Sequence, residues 1–188
     1  MPRKKQTEHE APPSPERVAV GDEPTSQAEE VVRVTLPEGR VVVFRLGDQS
    51  YALPIDVVQE IQQIVEFTPV PDSAPALVGM IDVRGRIVPA IDVRVLVGLD
   101  SRQYTLDTPM ILCHAHGRLV ALVVDEVDDV ITLPDGSIQA PSKLYALADR
   151  MIGICVLESG LVIILDPERL IPDTSLAATD NDGGGLDL

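Results

Sequence analysis

The feature that most constrains this chain is that it repeats itself in two registers. With an offset of 74 residues, Gly79 falls on Gly153, Val88 on Val162, Asp92 on Asp166 and Leu96 on Leu170, without a gap. With an offset of 69 residues, Ala52 falls on Ala121, Leu53 on Leu122, Asp56 on Asp125 and Val58 on Val127. Each copy consists of two short apolar runs around a turn, a link, and two more such runs. Runs this short, punctuated by Gly, Pro and Asp, suit small barrels better than an open sheet.

The best-marked unit is Val78–Leu96, VGMIDVRGRIVPAIDVRVL. Arg84-Gly85 fits a two-residue hairpin turn, because glycine tolerates the positive φ that such turns demand. Ile81 and Val83 alternate with Met80 and Asp82, as one buried and one mixed face of a strand require. Asp92 then opens a segment fit for a short helix. The second copy, Gly153–Asp166, has Glu158-Ser159 where the first has Arg84-Gly85. The hairpin is needed twice and the arginine once, which singles out Arg84.

The remaining elements follow from the same signals. Val41–Leu46 and Tyr51–Leu53 are expected strands around Gly47–Ser50. Pro54 followed by Ile55, Val58, Ile61 and Val65 at near-helical spacing predicts a helix that ends before Pro69 and Pro71. Met110–Ala115 and Leu119–Val124 form a hairpin around Gly117, and Asp128–Leu133 is another strand. A helical turn near Leu144–Leu147 precedes the hairpin Met151–Leu157 and Leu161–Leu165, and a last helix runs from Asp166 to Ile171. Residues 1–38, mixing Pro, Glu, Ser and Gln, and the acidic stretch 173–188 are expected to be disordered tails. That leaves 39–172 as a mainly β domain with short helices.

The net charge is −15, and residues 41–172 alone hold 9 basic and 18 acidic groups. A folded part this acidic repels nucleic acid and anionic membrane surfaces, which bind through Lys and Arg. The longest apolar run, Leu119–Val124, is far below the ~20 residues of a membrane span. The opening MPRKKQTEHE carries no apolar core of a secretory signal. A cytoplasmic protein is expected, with Cys113 and Cys155 as buried free thiols.

The chemical inventory is sparse. No glycine-rich phosphate loop of the GxGxxG or GxxxxGK[ST] kind occurs. On a strand, His114 and His116 share one face while Cys113 takes the other, so the three cannot converge on a metal. The equivalent Asp92 and Asp166 superficially resemble the paired carboxylates of an aspartic-protease-like hydrolase. Each, however, starts a helical turn, where a carboxylate accepts backbone N–H groups. Glu60 as a solvated helix-face charge and Arg84 as an exposed turn residue are the plain alternatives to a binding role. No cofactor or metal is expected, and a binding module is favoured over an enzyme.

FRLGDQSYALPIDVVQEI from Phe44 and TPVPDSAPALVGMIDVRGRIVPAIDVR from Thr68, then VALVVDEVDDVITL from Val120 and VIILDPERLI from Val162, resemble the CheW family of bacterial chemotaxis coupling proteins. The resemblance runs from about Arg40 to Ile171. It implies two intertwined SH3-like five-stranded barrels and an adaptor without enzymatic activity. The implied partners are the helical hairpin at a chemoreceptor's cytoplasmic tip, the regulatory domain of a CheA-type histidine kinase, and other CheW-like proteins in rings. It further implies that Val58, Glu60, Ile61, Gly79, Arg84 and Gly85 line or adjoin a receptor groove between the barrels. The kinase surface would lie at apolar barrel ends around Val127–Val130, and a Glu60–Arg84 pair is one further implied arrangement. Two departures stand out. Asp82 precedes Val83-Arg84-Gly85 where the family often has asparagine, placing an acid where it can pair with Arg84. Glu126 replaces the family's glycine after Asp125. A scaffold without kinase coupling remains the alternative within this fold.

Overall fold

The computed structural model describes residues 33–173. Twelve strands and two short helices follow one another: β1 Arg33–Val34, β2 Arg40–Leu46, β3 Gln49–Pro54, β4 Val58–Gln63, β5 Leu77–Val83 and β6 Arg86–Asp92. Then come α1 Val93–Leu96, β7 Pro109–Ala115, β8 Arg118–Val123, β9 Glu126–Thr132, β10 Ile138–Gln139, β11 Met151–Leu157, β12 Gly160–Leu165 and α2 Pro167–Leu170.

The strands form two sheets, ordered β4-β7-β8-β6-β5 and β1-β10-β11-β12-β3-β2-β9. Without the two-residue strands β1 and β10, the second order is the first with every strand replaced by its repeat equivalent. The hairpins are exchanged between copies. β6 lies parallel to β8 through Ala90↔Ala121, and β12 lies parallel to β3 through Ile164↔Ala52. The two sequence offsets convert one of these pairs into the other, so the registers match residue for residue. The halves are therefore intertwined, each completing the barrel of the other.

Each barrel closes where the chain leaves its edge strand and crosses to the opposite edge. After β4, Thr68 pairs with Met80 of β5 through two 2.8 Å backbone hydrogen bonds. After β9, β10 pairs with β11 through Ile138↔Cys155 and Gln139↔Ile154. The duplicated glycines sit under these crossings. A Cβ on Gly79 would lie 2.7 Å from the Thr68 carbonyl oxygen, and one on Gly153 2.7 Å from that of Gln139. Close approach of backbone to backbone, rather than turn geometry, requires glycine at both places.

Alternation along the central strands divides the core in three. Val41 and Val43 point into one barrel and Met110 and Leu112 into the other. Val42, Phe44 and Leu46, with Ile111, Cys113 and Ala115, fill the space between the barrels. Strands β2, β3, β7 and β8 are thus buried on both faces, which explains why they are continuous apolar runs.

Two expectations change. The helix over Ile55–Val65 is a single 3₁₀ turn, Ile55–Val57, followed by strand β4. The folded region starts earlier than residue 39, because Arg33 and Val34 pair with Gln139 and Ile138, and Leu36 is buried with Leu133 and Ile138. Apolar side chains at 34 and 36 find a place in the core that composition alone does not reveal. Residues 1–32 and 174–188, and the expectation that they are disordered, lie outside the described residues.

Candidate protein-binding site

The hairpin tip has the geometry its sequence demands. Arg84 and Gly85 have φ of 54° and 82°, the two positive values of a type I′ turn between Val83 and Arg86. Asp82 does not pair with Arg84. Its Oδ1 accepts the Gly85 N–H at 2.6 Å, tying down the turn. The Arg84 guanidinium reaches away from the hairpin and donates from Nη2 to Glu60 Oε2 at 2.6 Å. A Glu60–Arg84 pair, one of several arrangements left open by the resemblance, therefore forms, and it fastens the hairpin to a strand rather than to a helix. It joins β4 to the hairpin of β5, the two outer strands of that sheet. The Arg84 side chain remains 78% exposed and that of Glu60 26%. The second carboxylate oxygen, Glu60 Oε1, is buried with no hydrogen-bond partner among the described residues.

Along β4, a bulge between Val58 and Glu60 resets the register, and from Glu60 to Gln63 burial alternates, so Glu60 and Ile61 take opposite sides. Glu60 turns toward the hairpin. Ile61, 43% exposed, turns the other way and lines an open groove of about 370 Å³. The groove runs between the barrels, since its other lining residues include Pro109 at the start of β7 and Val127 on β9. Val58 packs against the central core cluster, and Gly79 is buried beneath Thr68. Of the six expected residues, the structure thus joins Glu60 with Arg84 and Gly85, places Ile61 in the groove, and gives Val58 and Gly79 packing roles.

A polar network that sequence reasoning missed holds the groove's edge. Asp125, its side chain 10% exposed, accepts Arg94 Nη1 at 2.6 Å and the Gly47 N–H at 2.7 Å on Oδ2, with Arg102 Nη1 3.4 Å from Oδ1. Asp92 is buried and accepts Arg94 N at 2.8 Å and the hydroxyls of Ser101 and Tyr104 at 2.7 Å each. Burial, then the hydrogen bond to Asp92, raises the Tyr104 phenol to about 12. The two charged residues of DVR, Asp92 and Arg94, were the available signal, but their side-chain partners are distant in sequence: Ser101 and Tyr104 for Asp92, Asp125 for Arg94.

The remaining candidates resolve simply. Asp166 caps α2 through the N–H groups of Glu168 and Arg169 at 3.0 and 3.4 Å, so both repeated aspartates cap separate helices and no hydrogen bond joins them. A paired-carboxylate hydrolase finds no shared site here. His116 Nε2 lies 2.8 Å from the Ile171 carbonyl oxygen, His114 is exposed, and Cys113 is buried in the central core. No cluster able to hold a metal occurs among the described residues. Burial pushes the Cys113 thiol up to about 12. None of the described helices is long and apolar enough to cross a membrane.

Comparison with known proteins agrees with this architecture. A model of the CheW-like domain matches residues 40–175. A chemotaxis protein CheW of Klebsiella aerogenes is 32% identical over 142 residues, which cover 74% of this chain and 86% of that one. One of Bacillus subtilis is 30% identical over 138 residues, covering 72% and 88%. The crystal structure of the scaffolding protein TtCheW from Thermoanaerobacter tengcongensis superposes with a TM-score of 0.67 at 28% identity, covering 72% of this chain and 94% of that one. The chain belongs to the CheW-like domain family, a family of chemotaxis scaffolds and adaptors.

Proposed function

We propose that this protein is a cytoplasmic, non-enzymatic adaptor that couples the tip of a chemoreceptor to a CheA-type histidine kinase. The observation that carries this is the two-sided presentation of β4. One side offers an exposed apolar anchor, Ile61, over a groove between barrels, and the other offers the Glu60–Arg84 pair at a rigid hairpin tip. A receptor helix supplies apolar side chains at i, i+3 and i+4 spacing, which such a groove accepts, while the charges fix its register. The Arg84 guanidinium, 78% exposed beside Glu60, keeps donors free for that helix. Gly85 lets the tip stay narrow, while Val58 and Gly79 set the shape beneath. The kinase's regulatory domain takes a different surface, with exposed Val130 on β9 as its centre, and other CheW-like proteins complete rings around it.

The test is receptor-controlled kinase activity in reconstituted arrays, using wild type, Glu60→Arg, Arg84→Glu and Ile61→Lys. Loss of receptor binding and of kinase control in all three variants, with folding intact, supports the coupling role. Normal receptor binding with no effect on the kinase identifies a scaffold without kinase coupling. Absence of binding by wild type to receptor tip and kinase domain alike ends the proposal.

A further inference from the structure

The groove between the barrels is lined by three carboxylates, Asp107, Asp125 and Glu126, and by no basic residue. Their states differ. Asp125 is held by Arg94 and Arg102, and Glu126 is paired with Arg45. Asp107 is exposed, sits one residue before the buried Thr108, and has no ion pair among the described residues. A cation entering the groove meets one carboxylate that it can take without breaking an existing pair. The same groove is lined by the apolar side chains of Ile61 and Val127 and by the amides of Gln62 and Gln63.

We infer that the groove selects an amphipathic helix bearing a lysine or arginine beside its apolar stripe, with that cation against Asp107. This rests on the receptor-helix reading above and adds the chemistry that orients the helix. Apolar side chains on Ile61 and Val127 supply affinity in either direction along the groove. A single charge at one end distinguishes the directions, because the reversed helix leaves its cation unpaired. The net negative charge of the chain raises the encounter rate with a basic helix. Asp107 is a specificity residue rather than the main source of binding energy, since an exposed pair contributes little by itself.

The test measures association and dissociation of a chemoreceptor-tip helical hairpin with wild type, Asp107→Asn, Asp107→Lys and, as an exposed acid elsewhere, Asp135→Asn. Expected are an affinity loss of about 2–5-fold for D107N, a larger loss for D107K, chiefly through slower association, and wild-type behaviour for D135N. The salt dependence of association should flatten in D107N. Replacing the hairpin's cation by glutamate should restore binding to D107K. Wild-type affinity and salt dependence in D107N and D107K overturn the assignment while leaving receptor binding in place. If the hairpin fails to bind wild type, the receptor reading fails and takes this inference with it. Circular dichroism of each variant separates these outcomes from misfolding.

Discussion

At φ of 54°, Arg84 stands in a backbone conformation where asparagine or glycine would sit with less strain. Such positions cost on the order of 1 kcal/mol for a side chain of this kind. Its ion pair with Glu60 is exposed on the arginine side and returns little of that. Arg84→Asn should therefore leave the unfolding free energy from urea titration within about 1 kcal/mol of wild type while weakening receptor binding, so that stability and binding separate. Equal loss of both would mean that the arginine is structural. Tyr104 is a second residue whose chemistry can be read directly. Its phenol, raised from 10.0 to about 12, is held neutral by burial and by its hydrogen bond to Asp92. A raised folded-state value contributes stability that is complete below pH 10 and is lost as pH rises toward 12. The chain contains three tyrosines and no tryptophan, so tyrosinate absorbance can be followed cleanly. The difference between wild type and Tyr104→Phe should isolate one ionisation near 12, and the Tyr104→Phe protein should lose less stability across that window.

Among the elements, β4 shows where sequence reasoning fails. Ile55, Val58, Ile61 and Val65 have the spacing of a helix face, but Ile61 is an outward-facing apolar residue on an edge strand. Periodicity assumes that apolar means buried, and a partner-facing side chain breaks that assumption. The repeat held the correcting signal: an offset of 69 places Val58 on Val127, at the head of the strand-like run through Leu133. The hairpin Leu77–Asp92 was legible down to its two-residue turn, because Arg-Gly between alternating runs leaves few alternatives. The closure crossings were not legible, since Thr68 and Gln139 meet their partners through backbone atoms that carry no residue code. They nonetheless explain the repeated glycines. Gly79→Ala and Gly153→Ala should each cost about 1–3 kcal/mol by forcing these crossings apart, seen as lower denaturation midpoints. Gly85→Ala, with nothing within 4 Å of its added Cβ, would report only turn strain.

For the molecule as a whole, the duplication made two equivalent barrels legible but not the exchange of hairpins, which only the family resemblance implied, because pairing β6 with β3 and β12 with β8 would satisfy the repeat equally well. What duplication also leaves undetermined is how the barrels are held at a fixed angle, and there the two copies differ. Asp56 is exposed, whereas its equivalent Asp125 is a junction. Asp125 joins the β2–β3 turn at Gly47, the helix α1 at Arg94 and the following loop at Arg102, so one carboxylate ties both barrels to the groove's edge. Its replacement by alanine strips Arg94, 18% exposed, of its charged partner and leaves the Gly47 N–H without that acceptor. Removing one member of a largely buried pair is more costly than the pair's net contribution, because the remaining charge stays desolvated. Arg94 keeps its bond from Nε to the Asp100 carbonyl oxygen, which moderates the loss. Asp125→Ala should therefore destabilise the fold by about 2 kcal/mol. If the junction also fixes the groove, hydrogen exchange should rise together in Gly47, the loop after α1 and the start of β9. A rise confined to Asp125's own neighbours in sequence would reduce it to a local contact.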